Sequence, residues 1–139
     1  MAVRRWRHYE TTSGRRPVGE FLQRLADKDA AALATAMEEV RSQGLRGARH
    51  LQGQVYEVRA DGSRVIYRLL FAPQGEHGQI LLTLAIFKKT QKTPIGKIRL
   101  AQQRLREWER RGNHLKASVH ITYDIFLLIC QTRGGWYVP

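Results

Sequence analysis

Apolar positions along the chain fall into two periods. Ile98, Ala101, Leu105 and Trp108 recur at spacings of three, four and three, which lays one apolar face along a helix. Pro94 suits the first helical position, where its missing N–H costs nothing, and Thr93 fits as the N-cap. A second helical pattern opens at Pro17 and turns Val18, Phe21, Leu22 and Leu25 inward. Asp27 breaks that pattern and can cap a further helix over 28–42. There Leu33, Met37 and Val40 line one side, and Gly44 is a suitable stop. Two helices joined by so short a link form a hairpin. Residues 3–9 alternate loosely around Trp6 and Tyr9 and read as a strand. Residues 55–59 and 64–71 read as two more, flanking an "ADGS" turn, and 79–87 as a fourth. The order is strand, two helices, three strands, helix.

Beyond Gly112 the pattern changes. Val119, Ile121 and Tyr123 alternate and run into Ile125–Cys130, so 118–130 reads as a strand, with Trp136 and Tyr137 after a Gly-Gly turn. Apolar surface of that size needs cover; self-packing is the favoured reading, beside a neighbouring subunit, a partner protein or a poorly ordered extension. The chain divides accordingly into a domain over 1–112 and a C-terminal extension over 113–139.

Charge sharpens the picture. The net charge is +12 and the sequence pI about 10.7. Only Lys116, Arg133 and Asp124 carry charge after Gly112, so nearly all of it belongs to the first domain. Such a balance favours polyanionic partners, nucleic acid above all. Cys130 is the only cysteine, which excludes a disulfide framework and fits a reducing cytoplasm. The basic N-terminus lacks the apolar run of a signal peptide, and Ile125–Cys130 is too short to span a bilayer.

Several chemistries find no support. His8, His50, His77, His114 and His120 are scattered without metal-ligand spacing and read as surface or loop residues. "GLRG" at 44–47 is a turn and matches no nucleotide fingerprint. Cys130 reads as a core residue, and Glu38 and Glu39 as solvated carboxylates. No cofactor is implied.

What remains is a basic and aromatic set: Arg59 in "YEVR", Arg64 and Tyr67 in "RVIY", and Lys88, Lys89, Gln91 and Lys92 after the last strand. Arg64 and Tyr67 are three apart, so a regular strand would turn them to opposite faces, unless a bulge or the strand end re-aims one. One reading makes Tyr67 core and the arginines edge charges that discourage aggregation. The other is metal-free RNA cleavage, in which the ribose 2′-OH attacks the adjacent phosphate. Cations then stabilise the developing charge, and a crowded lysine serves as acid or base.

"RRPVGEFLQRL", "LQGQVYEVRADGSRVIYRLLF", "AIFKKTQKTP" and "KIRLAQQRLREW" resemble, in that order, the phage-derived HigB-like toxins of the RelE/ParE superfamily. The likeness covers roughly 1–111, and "FKKTQKTP" is its most specific piece. It implies an α+β fold: a small antiparallel sheet, an N-terminal helical hairpin packed on it, and a helix after the last strand. It also implies the toxin of a type II toxin–antitoxin pair, acting as a ribosome-dependent mRNA endonuclease (mRNA interferase), with a helix-turn-helix antitoxin, the ribosome and mRNA as partners. By matching positions, Arg59, Arg64, Tyr67, Lys88 and Lys89 become the catalytic candidates, with Lys92, Gln91, Lys97 and Arg99 as RNA contacts. Lys97 and Arg99 stand where relatives usually carry acids, and relatives tend to end near Arg111. A ParE-type gyrase poison and a non-catalytic RNA- or ribosome-binding module are the competing expectations.

Overall fold

The computed structural model describes residues 3–88 and 92–112. Its elements are β1 (Arg5–His8), α1 (Pro17–Gln23), α2 (Asp27–Gln43), a 3-10 turn (Gly44–Gly47), β2 (Arg49–Gln52), β3 (Val55–Asp61), β4 (Ile66–Gln74), β5 (Ile80–Lys88) and α3 (Ile95–Arg110). The expected extension strand over 118–130 lies outside the described residues.

One five-stranded sheet runs β1-β5-β4-β3-β2. From β2 to β5 it is an antiparallel meander. β1 instead pairs parallel to β5, with Arg5 opposite Ile80 and His8 opposite Thr83. The sheet is therefore the small, mainly antiparallel one expected, with one parallel edge strand, β1. A parallel neighbour needs a long crossover, and the α1–α2 hairpin begins the return path. β2, a short edge strand, was not expected, and "GLRG" is a 3-10 turn.

Alternation along the strands separates two apolar layers. Tyr67, Leu69 and Phe71 of β4 join Val18, Leu22, Leu33, Met37 and Val40 of the helical hairpin. Leu70 and Ala72 face the other way, against Ala101 and Leu105 of α3. Burying each large aliphatic or aromatic side chain contributes about 1.5–3 kcal/mol. Trp6 crosses the first layer, its indole N–H donating to the Met37 carbonyl at 2.8 Å. An α+β architecture of RelE-like topology results: hairpin, sheet, helix.

β5 carries a bulge. Leu70 pairs with Ala85 and Phe71 with Thr83, which leaves Leu84 as an extra residue. Leu82 and Leu84 point towards α3, and so does Phe87, three positions after Leu84. The bulge thus reverses the facing of everything beyond it. Lys88, opposite Tyr67, is delivered to the hairpin side.

Two expected caps fall elsewhere. Asp27 lies within α2, whose N-cap is Ala26. Pro94 is the N-cap of α3, and the Thr93 hydroxyl donates to Glu57 instead of accepting a helix N–H. Among the described residues, no helix is long and apolar enough to cross a membrane.

His8 is a core residue, not a surface one. Its Nδ1 meets Thr83 Oγ1 at 2.9 Å, and its ring fills the space beside Gly19 of α1, where a Cβ would stand 3.1 Å from it. Burial, reinforced by the charge of Arg16, pushes the imidazole down to about 3. An unfolded histidine titrates near 6.5, so the unfolded chain binds the extra proton between those values. The stabilisation is full above about pH 6.5 and is lost as pH falls towards 3. Denaturant titrations should show a loss on the order of 2 kcal/mol from pH 7 to pH 5, and His8→Asn should flatten that slope. A pH-independent wild type over this interval would contradict the assignment.

Candidate functional site

The site lies where β5 ends, β4 begins and the tip of the β3–β4 hairpin folds over. The tip spans 62–65 and is closed by the Gly62 N–H donating to the Val65 carbonyl at 2.8 Å. Tyr67 follows two residues later, and Lys88 pairs with it across the ladder.

Asp29 ties these pieces to the helical layer. It stands in the first turn of α2, at the head of the stripe that continues through Leu33, Met37 and Val40. One carboxylate oxygen accepts the Ser63 N–H at 2.7 Å and the other accepts the Tyr67 hydroxyl at 2.5 Å. Gly62 permits the approach: a Cβ there would stand 2.6 Å from the Tyr67 ring and 2.8 Å from Asp29 Oδ1. Only glycine fits without displacing one of them.

Electrostatics follow from this geometry. The Ser63 N–H holds the Asp29 carboxyl below its usual range, aided by the Tyr67 hydroxyl and the positive charge of Lys88, so it is ionised. Burial, together with the hydrogen bond to Asp29 and its charge, pushes the Tyr67 phenol up to about 12. The phenol therefore stays protonated, as a fixed donor. Its ring is 2% exposed and packs edge-on against Phe21, centroids 6.0 Å apart. A base cannot stack on it in this arrangement.

Arg64 is not a strand residue, as the alternation suggested. β4 starts at Ile66, and Arg64 sits exposed on the hairpin tip with φ +66°. This left-handed conformation costs a side-chain-bearing residue about 1–2 kcal/mol, and such strain recurs where a side chain is aimed for function. The turn removes the opposite-face conflict between Arg64 and Tyr67.

The structure brings Arg64, Tyr67 and Lys88 to one end of the sheet, and Arg59 to the same end but on the opposite face. Arg59 lies opposite Arg68 on the α3 side and ion-pairs with Asp61 at 3.1 Å. Lys92 and Arg99 are exposed, whereas Lys97 is half-buried with its ammonium 5.8 Å from the Phe87 ring centroid. Lys89 and Gln91 fall outside the described residues. Among the described residues, no three of His, Cys, Asp and Glu gather as a metal cage would require.

Asp29, Ser63 and Gly62 were not singled out from the sequence. The available signal was a carboxylate at a position in register with the buried stripe of α2, where an apolar residue would be the default. Glu57, which shares a strand face with buried Val55, carried the same signal.

The family model described as phage derived protein Gp49-like matches residues 20–106. Over 113 residues the chain is 32% identical to proteins named probable endoribonuclease HigB1 from two Mycobacterium tuberculosis strains, CDC 1551 / Oshkosh and ATCC 25618 / H37Rv; each match covers 78% of this chain and 88% of the relative. The span matched by the family model contains Asp29, Arg64, Tyr67 and Lys88, and it takes in both layers of the sheet. The chain belongs to the phage-derived Gp49-like family.

Proposed function

We propose that this protein is the toxin of a type II toxin–antitoxin pair and cleaves ribosome-bound mRNA. The observation that carries the reading is the cationic end of the sheet. Lys88 is delivered there by a bulge, Arg64 is held there in a left-handed turn, and the Asp29–Tyr67 pair braces both. The names of the two relatives support endoribonuclease chemistry. The net charge of +12 suits the phosphate-rich ribosomal surface, where such contacts dominate affinity.

In this reading the 2′-hydroxyl of a ribose gives up its proton to water as its oxygen forms a bond to the adjacent 3′-phosphorus, and the bond from phosphorus to the next 5′-oxygen breaks. Arg64 and Lys88 stabilise the charge that develops on the phosphoryl oxygens. The departing 5′-oxygen takes a proton from a lysine ammonium of the Lys88, Lys89 and Lys92 group. The products carry a 2′,3′-cyclic phosphate and a 5′-hydroxyl. Tyr67 and Asp29 act by position, because the phenol is too weak an acid to yield its proton near neutral pH. Arg59, Gln91, Lys97 and Arg99 make peripheral RNA contacts. A helix-turn-helix antitoxin restrains the protein in the cytoplasm.

Expression of the full chain alone should arrest growth by stopping translation, with new 5′-hydroxyl mRNA ends mapping to translated regions. Continued protein synthesis alongside double-strand DNA breaks would replace this reading with gyrase poisoning. Translation arrest on intact mRNA would replace it with simple ribosome binding.

Lys88→Ala should lower cleavage about 10²–10³-fold, the usual cost of removing one charge-stabilising group. Arg64→Gly should lose activity to a similar degree while stability is unchanged or raised by up to about 1 kcal/mol, because glycine relieves the left-handed strain. Full cleavage by both variants would move the site elsewhere.

Tyr67→Phe offers a separate discrimination. It should lower the thermal midpoint yet reduce cleavage less than about tenfold, with the pH–rate profile unchanged, since the phenol does not titrate in the working range. A loss as large as that of Lys88→Ala, with a displaced pH profile, would make Tyr67 an acid–base group.

A further inference from the structure

Thr93 stands one residue before Pro94, the N-cap of α3, and the sequence pattern suggested its hydroxyl as the cap. Its hydroxyl reaches away instead, donating to Glu57 Oε2 on β3. Glu57 Oε1 accepts Arg68 Nη1 from β4. All three are buried, at 6%, 3% and 8% exposure for Thr93, Glu57 and Arg68. Taking an ion pair out of water costs desolvation, and apolar replacements are often at least as stable. Stability alone is therefore a weak reason for this arrangement.

Position supplies a stronger one. The connector from β5 to α3 begins at Lys88, which the ladder holds opposite Tyr67. It ends at Thr93, which the Glu57 carboxylate holds against the middle of the sheet. Arg68, which fixes Glu57, pairs in the ladder with Phe87, the residue before Lys88. Both ends of the lysine-bearing connector are thus referred to the same two strand pairs.

We infer that Glu57, Arg68 and Thr93 are positioning residues that clamp the far end of this connector and so fix where Lys88 and Lys92 meet the scissile phosphate. The inference rests on the nuclease reading above. Loss of the clamp leaves the connector's cationic groups present but misplaced, an error that lowers turnover far more than substrate affinity.

The test uses the full chain with Thr93→Val, which keeps the shape and removes the hydroxyl, and Thr93→Ser, which restores it. Cleavage of mRNA on ribosomes is measured with kcat and KM separated, and trypsin nicking after Lys88, Lys89 and Lys92 gives a readout independent of activity. Thr93→Val should fold, lose about 10- to 100-fold in kcat with KM changed less than about threefold, and be nicked faster. Thr93→Ser should return both towards wild type. A folded Thr93→Val that cleaves mRNA and resists trypsin like the wild type would overturn the inference. If Thr93→Val does not fold, the double replacement Glu57→Leu with Arg68→Met removes the clamp while keeping apolar packing, and the same two outcomes apply. Failure of both to fold would make the network a requirement of the fold and overturn its positioning role. A wild-type chain that cleaves no ribosome-bound mRNA overturns the nuclease reading instead, and the nicking comparison still decides the clamp.

Discussion

The Asp29 carboxylate is the point on which the helical layer, the hairpin tip and the end of the sheet all converge. It belongs to α2, yet its two oxygens take a backbone N–H from the tip and a hydroxyl from β4. An ionised carboxylate in a buried place must be satisfied by donors, and here both donors come from the sheet. The consequence is mutual constraint. The tip cannot move without stranding the carboxylate, and the helix cannot slide without losing the tip.

That constraint gives meaning to two local irregularities. A left-handed Arg64 is unfavourable in isolation, and it persists because Ser63 on one side is fixed by Asp29 while Val65 on the other closes the turn to Gly62. The bulge at Leu84 breaks the regular ladder, and it is what places Lys88 on the hairpin side and Phe87 on the α3 side. One cationic residue from the β3–β4 tip and one from the end of β5 reach one end of the sheet through departures from ideal geometry, each held by the regular structure around it.

The two faces of the sheet handle buried charge differently. On the hairpin side, Asp29 is met by neutral donors, with the positive charge of Lys88 nearby. On the α3 side, Glu57 is met by the full charge of Arg68 and by the Thr93 hydroxyl. Both carboxylates lie beneath segments that carry lysine or arginine outward. Anchoring such segments by charge-assisted hydrogen bonds gives them fixed directions, which apolar packing beneath a short loop would do less well.

Hydrophobic periodicity by itself determined the number of helices, their order with the main strands, and most of the core. Leu33, Met37 and Val40, or Ala101 and Leu105, turn inward for reasons contained within one helix. The run from Phe87 to Pro94 was the most specific of four stretches that pointed to a phage-derived relation, and the cationic candidates Arg64 and Lys88 stood out by residue type. Only the tertiary structure decided that β1 lies parallel to β5, that Arg59 faces away from Lys88, that His8 is core, and that Thr93 serves Glu57 instead of α3. Those outcomes depend on partners far away in the chain. The Tyr67–Asp29 bond joins residues 38 positions apart and the Thr93–Glu57 bond residues 36 apart. A side chain's local pattern states whether it can be buried, but which donor meets a buried carboxylate is settled only when distant strands and helices pack together.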